Sequence, residues 1–258
     1  MFFESTILIA NYHRNAQLRW NLRGFARQKP KNAQFVILDD APQSDFVCKK
    51  LIEEFNHQLT IQYIHTGINK KKDQWRVPGF AFNIGAKRTD SEFLFLCCAE
   101  THHHNDTLEP MLAALRQHKT GVMVIPQGKT DANGAITGLL NRDGSISDEA
   151  FEAIKARLLV NYPFFMGLAR KDFFDIGGYD EDFVGVGVDD KDLVERLKWN
   201  GCKYIQVPAK IVHLHHSRAR KGRGLVNGIT DPLQYNRKLF QSKKGQIIRN
   251  QNREWGTL

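Results

Sequence analysis

Along the first half of the chain, short apolar runs alternate with segments in which apolar residues return every three or four positions. Ser5 to Ala10 (STILIA) is apolar and β-branched, and polar Asn11, Tyr12, His13 and Arg14 follow it. Leu18, Leu22 and Phe25 then recur at helical spacing, so the segment reads as strand, loop, helix. The pattern repeats. Gln34 to Leu38 (QFVIL) is a buried-strand run that ends in Asp39, Asp40 and the turn-forming Ala41-Pro42. A helix is predicted from about Ser44 to Phe55 and a strand from Leu59 to Ile64. Strands alternating with helices predict a parallel sheet with right-handed crossovers, whose ligands bind beyond the carboxyl ends of the strands. Asn11-Tyr12 and Asp39-Asp40 fall at those ends.

Further on, Lys70 to Pro78 reads as a mobile basic loop, and Gly79 to Ala86 (GFAFNIGA) as a helix with small residues on one face. Glu92 to Cys98 is a strand and Asp106 to His118 a helix, with a polar loop carrying His102, His103 and His104 between them. Gly121 to Pro126 is another strand. Thr130 to Asp148 is rich in Gly, Asn and Asp, and predicts a long loop or hairpin. Glu149 to Val160 reads as a short helix, with a strand around Met166 after it. A helix begins near Asp189, where Leu193, Val194, Leu197 and Trp199 hold helical spacing. Two strands, Lys203 to Val207 and Lys210 to His216, close the domain. From Ser217 the chain turns rich in Arg, Lys and Gly and reads as a tail or lid.

Composition narrows the picture. The 258 residues suffice for one α/β domain with a tail, and 41% hydrophobic and 25% charged content is ordinary for a globular protein. No stretch approaches the roughly eighteen apolar residues of a membrane span, and the first ten residues do not read as a signal peptide. Cys48, Cys97, Cys98 and Cys202 show no disulfide-framework or zinc-site spacing, which points to a reducing, cytoplasmic setting. The net charge of +9 permits three kinds of partner: nucleic acid, an anionic membrane surface touched peripherally at its inner face, or an anionic nucleotide diphosphate. No zinc finger, helix-turn-helix or aromatic RNA-binding signature accompanies the charge, which weighs against nucleic acid.

Against that basic background, six carboxylates crowd between Asp180 and Asp192, opposed in sequence by Lys191 alone. Acids packed this closely repel one another. Asp189 and Asp190 follow a loop punctuated by Gly185 and Gly187 and sit at a helix start, where one capping acid would suffice. The stretch resembles the acceptor-side motif of inverting glycosyltransferases of the GT-A fold, in both the galactosyltransferase-like group and glycosyltransferase family 2. The residues that carry the likeness are Gly167, Arg170, Phe173, Gly177, Gly178, Tyr179, Asp180, Glu181, Phe183, Gly185, Gly187, Asp189, Asp190 and Leu193. Val186 stands where that motif has Trp, Val188 where it has a second Gly, and Asp189 where it has Glu.

The resemblance covers roughly residues 5 to 216 and implies an α/β, GT-A (nucleotide-diphospho-sugar transferase) fold, a mixed, mostly parallel central sheet flanked by helices. Residues 1–105 would form a nucleotide-binding half, 106–216 an acceptor-side half, and 217–258 the basic tail. It implies an inverting transferase that moves a hexose or N-acetylhexosamine from a UDP-linked donor to a surface polysaccharide, a lipid-linked glycan or a protein. Asp190 would be the general base and Asp189 would orient the acceptor, with Tyr179, Asp180 and Gly187 nearby. Ala10, Tyr12, Arg14, Asp39, Asp40, Arg76, Asn83 and Ala99 would line the nucleotide, one of the two second-strand aspartates meeting the uracil base. Where the family carries Asp-Ala-Asp for Mn or Mg, this chain has Cys98-Ala99-Glu100. A thiol is a poor ligand for those ions, so the implied metal site is Glu100 with His213 from the closing strand, His215 being the second choice. Arg218, Arg220 or Lys221 would assist the leaving diphosphate. Two other readings stay open: a weak or metal-independent nucleotide-sugar binder, prompted by Cys98, and a basic adaptor for polyanions.

Overall fold

The structure is a computed structural model and describes residues 2–41, 46–66, 76–159, 162–217 and 228–258. Four of its strands, β1 (Ser5–Asn11), β2 (Ala33–Asp39), β3 (Thr60–His65) and β4 (Phe93–Cys98), run parallel. They form half of an eight-stranded sheet ordered β3-β2-β1-β4-β7-β6-β8-β5. The other half is built from β5 (Thr101–His103), β6 (Val122–Thr130), β7 (Phe165–Ala169) and β8 (Lys203–His213). β7 is antiparallel to both of its neighbours, β4 and β6, and β5 is antiparallel to β8.

The continuous apolar runs of β1, β2 and β4 exist because both faces of the sheet are covered. Ile7, Ile9, Phe35, Ile37, Phe93 and Phe95 point into one core, with Leu18, Leu22 and Phe25 of α1 (Asn15–Gln28) and Met111, Leu112 and Leu115 of α4 (Leu108–His118). The alternate residues Leu8, Val36, Leu38, Leu94 and Leu96 point into the other. There they meet α3 (Gly79–Lys87), α6 (Arg170–Asp175) and α7 (Asp189–Trp199). The remaining helices are α2 (Phe46–Glu53), α5 (Asp148–Ala153) and α8 (Pro232–Ser242).

Several expectations change. The two closing strands are one, β8, which keeps pairing with β6 past Pro208 because the ladder shifts register there. Ile125 faces Gln206 and Gln127 faces Lys210, so Pro126 lies opposite Val207, Pro208 and Ala209. Both prolines sit at the irregularity, where no ladder donor is needed. The histidine run is not a loop. Thr101–His103 is the edge strand β5; His102 and His103 are fully buried, and burial pushes His102 down to about 4 and His103 well below the usual imidazole range. The helix expected to Val160 ends at Ala153. Its N-terminus is capped by the Ser147 hydroxyl accepting from the Ala150 N–H, and beyond it Arg157 bridges back to Lys129.

Beyond Gly228 the chain folds back onto the acidic motif. Asp231 caps α8 through Oδ1, which accepts from the Gln234 N–H at 3.0 Å, and Pro232 occupies its first turn. The segment after α8 buries Arg249 and Asn250 and lays Trp255 on Phe174 and Lys87. Of the expected basic loop from Lys70 to Pro78, residues 70–75 lie outside the described residues, as do the cations Arg218, Arg220 and Lys221. Among the described residues no helix is long and apolar enough to cross a membrane.

Candidate active site at the carboxyl ends of the strands

The six acids of the motif separate by what faces them. Asp192 is buried against two guanidiniums: Arg196 Nε donates to Oδ2 at 2.6 Å and Arg249 Nη2 to Oδ1 at 2.8 Å. Asp180, also buried, pairs with Arg249 at 2.8 Å and with Lys243 at 2.7 Å. Asp182 is held by Lys243 at 2.5 Å and Arg253 at 2.6 Å. Glu181 accepts from the Asn83 amide and the Gly256 N–H, both at 2.9 Å. Asp180 was expected beside the acceptor; its ion pairs make it a structural anchor instead. Cations drawn from α7 and from the last sixteen residues relieve the repulsion of these acids.

Asp189 and Asp190 are left over. They open α7 behind Val188, which holds a left-handed φ of 77°. Burial, joined by the repulsion of Asp190, pushes the Asp189 carboxyl well above the usual range. Burial also pushes Asp190 up to about 6, while a hydrogen bond from the Tyr179 hydroxyl to its Oδ1, at 3.0 Å, pulls the other way. Tyr179 therefore stands under Asp190 with its ring fully buried, stacked 5.7 Å from Phe82, and offers no ring face to an acceptor. Gly187, at φ 86°, is part of the loop above it, and the neighbouring Val186 is 54% exposed.

Two residues beyond the end of β4, Glu100 accepts from Arg14 Nε at 3.0 Å and stands 3.8 Å from His216 Nε2. The His213 ring lies 5.3 Å from that of His216 and 5.0 Å from Phe164. Arg14 also donates to the Ser217 carbonyl at 2.9 Å. His216 had not been singled out, although it lies in the same histidine-rich stretch as His213. Cys98 is half-buried, points its Sγ at the Pro163 carbonyl 3.8 Å away, and is pushed well above the usual thiol range by burial and by the surrounding acids. It is a neutral thiol. Among the described residues no three His, Cys, Asp or Glu side chains converge closely enough to cage an ion unaided. Glu100 and His216, 3.8 Å apart with His213 beside the latter, are donors of the kind a hard divalent ion accepts when diphosphate oxygens and water supply its remaining ligands.

At the carboxyl end of β2, Asp39 is fully buried; its Oδ1 accepts from the Ala41 N–H at 3.2 Å and its Oδ2 from the Tyr63 hydroxyl. Asp40 is bound by Thr66 and, at 3.1 Å, by Arg76, and burial raises its carboxyl above the usual range. Arg76 is itself buried, and its Nε and Nη1 find no partner among the described residues. Asn83 was expected to line the nucleotide. Instead it is fully buried, its amide spent on Tyr179 and Glu181, with the Tyr179 N–H returning a bond to Oδ1 at 2.8 Å. Tyr12 is exposed at the mouth of the site; Ala10 and Ala99 share a backbone hydrogen bond of 3.2 Å at its floor.

Next to His213, whose carbonyl accepts from the Asp131 N–H at 2.9 Å, the 130–156 region encloses a hollow of about 330 Å³. Ala135, Ile136, Leu139 and Ile154 line it, with Asp131. A larger hollow of about 460 Å³, lined by Glu4, Lys31, Asp106 and Arg116, opens at the amino ends of the strands. It is remote from every residue above.

The family model described as "Glycosyltransferase like family 2" matches residues 7–228. No curated protein matches the chain. Among solved structures, GalNAc-T7 with UDP, GalNAc and Mn2+ superposes with a TM-score of 0.65 at 14% identity, over 93% of this chain and 48% of that one. S. aureus TarS 1-349 in complex with UDP-GlcNAc gives 0.60 at 13%, over 93% and 66%. The mannosyltransferase PcManGT from Pyrobaculum calidifontis, in complex with GDP-Man and Mn2+, gives 0.56 at 15%, over 85% and 59%. This chain thus spans about half the length of the GalNAc-T7 chain. The shared fold is GT-A, as the motif implied.

Proposed function

The chain belongs to glycosyltransferase like family 2, and from that premise we propose that it transfers a hexose or N-acetylhexosamine from a nucleotide sugar, UDP-linked, to a hydroxyl acceptor with inversion. The observation that carries this reading is the sorting of the acids. Four of the six are held by cations or amides, and the pair left at the head of α7 includes a carboxyl raised to about 6. Such a carboxylate is ionised at neutral pH and still basic enough to take a proton.

In the proposed reaction the acceptor hydroxyl gives its proton to Asp190 as its oxygen bonds the anomeric carbon. The bond from that carbon to the diphosphate breaks, and its electron pair leaves on the β-phosphate oxygen. A single displacement of this kind turns an α-linked donor into a β-glycoside. Tyr179 holds Asp190 in place. Asp189, its neighbour, orients the acceptor. Arg76, buried with unused donors, faces the nucleotide side. Glu100 and His213 or His216 would hold a divalent ion, which supplies neutralisation of the leaving diphosphate. The neighbours crystallised with UDP, with UDP-GlcNAc and with Mn2+ support a nucleotide-sugar donor.

One observation favours a second, metal-free version of the same site. Arg14 already sets a guanidinium against Glu100, and Cys98 replaces an acid. A thermal-shift titration with UDP separates the two. We expect UDP to raise Tm, and to raise it further with manganese. A UDP shift that chelator leaves untouched would select the metal-free version, and no shift with UDP or another nucleoside diphosphate would overturn the donor assignment.

A further inference from the structure

The acid pair stands on a strained turn. Gly185 and Gly187 take φ of 65° and 86°, which glycine adopts freely, but Val188 is β-branched and takes 77°. A β-branched residue in the left-handed region persists only where its surroundings hold it there. The contacts that hold this turn come from α8, far along the chain. Asn236 of α8 is fully buried. Its Oδ1 accepts from the Val184 N–H at 3.1 Å, across 52 residues of sequence. Its Nδ2 donates to the Val184 carbonyl at 2.8 Å, the Gly187 carbonyl at 2.9 Å and, more weakly, the Val186 carbonyl at 3.3 Å.

One amide thus satisfies both ends of the turn. The apolar side of α8 completes the grip: Phe240 and Leu239 share a cluster with Phe183 and Val188, and Lys191 lies over the Phe240 ring at 5.0 Å. On the opposite side, Arg76 bridges to Val184. The turn leads directly into Asp189 and Asp190, so whatever fixes its backbone fixes where those carboxylates point.

We propose that Asn236 is a positioning residue for the transfer reaction, holding the left-handed turn at Val188 so that Asp190 meets the acceptor hydroxyl. The proposal rests on the reading of Asp190 as the base. Asn236 touches neither donor nor acceptor. Its loss should therefore lower kcat and leave donor affinity alone, since a displaced base costs rate: about 10- to 100-fold for a misplacement near 1 Å.

The test uses the full chain and three variants, Asn236→Ala, Val188→Gly and the double variant. Hydrogen exchange followed by mass spectrometry should show the amides of 184–190 exchanging at least about tenfold faster in N236A, with β1 and β2 unchanged. The Kd for UDP should stay within about twofold while kcat falls. V188G removes the strain, keeps the Asn236 hydrogen bonds and loses only the Val188 side chain from the apolar cluster, so it should retain activity. In the double variant it should restore part of the rate lost in N236A, a rescue that general destabilisation would not give. Unchanged exchange in 184–190, or unchanged kcat in N236A, overturns the proposal. Should N236A fail to fold, V188G decides alone: slower unfolding with retained rate supports a strained, clamped turn, and loss of stability contradicts it. Wild-type protein without turnover, but with faster 184–190 exchange in N236A, would remove the transferase reading and leave the clamp standing.

Discussion

As the proposed base, Asp190 carries two opposing demands: it must be ionised to accept a proton, and it sits where ionisation is costly. Burial raises its carboxyl to about 6, so the protonated, inactive form predominates below that pH. The transfer rate should rise with pH through about 6 and then level, with a single acid limb in kcat measured across pH 5 to 8. A rate that is flat down to pH 5 would mean that the group taking the proton is an ordinary exposed carboxylate. Tyr179 is the local control on this value, because its hydroxyl bonds the ionised form. Residue roles were only partly visible in the sequence. Asp189 and Asp190 stood out because one cap does not need two acids. Tyr179 and Asp180 matched the same motif equally well, and Asn83 a second segment of the resemblance, yet all three are buried and held by other side chains or backbone. A motif records which residues recur at a spacing, and does not separate those that face a substrate from those that hold the turn beneath it.

At the scale of elements, the surroundings of the acidic motif are built by pieces distant in sequence. Helix α7 offers Arg196 to Asp192, and the segment beyond α8 brings Arg249 to both Asp192 and Asp180. Arg249→Ala would leave Asp192 with Arg196 and Asp180 with Lys243, each short of one buried partner, a loss that costs up to about 3–5 kcal/mol. Arg249→Ala should therefore lower Tm by about 6 °C or more, read by calorimetry or by denaturant unfolding, and its loss of activity should follow unfolding. A stable Arg249→Ala protein would show that Arg196 and Lys243 suffice to hold the two aspartates. The apolar periodicity of β1, β2 and β4 was legible because both faces of those strands are buried. Helix α8 was missed although Asp231-Pro232 is a helix-start signal, because the surrounding sequence is polar and its buried face includes Asn236 as well as Phe240. Two prolines at one register shift hid the continuity of β8.

For the molecule as a whole, the basic character has a local explanation. Three of the C-terminal cations, Lys243, Arg249 and Arg253, are paired with Asp180, Asp182 and Asp192, which reduces what they offer to a polyanion in solution. The class of fold could be read from alternating strands and helices, and the family from the motif. The pairing of β7 between β4 and β6, and the return of the C-terminal segment onto the acidic motif, could not: both depend on contacts between residues far apart in sequence, which local pattern does not record. The central claim is that this site breaks the bond between a sugar and a nucleoside diphosphate with Asp190 as the base. The most direct test is UDP release from UDP-GlcNAc and UDP-GalNAc, with an acceptor panel, by the wild-type chain and by Asp190→Asn, alongside UDP binding to both. Turnover by the wild type, a loss of about 100-fold or more in the variant, and the same UDP affinity in each are expected. Turnover that survives in Asp190→Asn would contradict the claim.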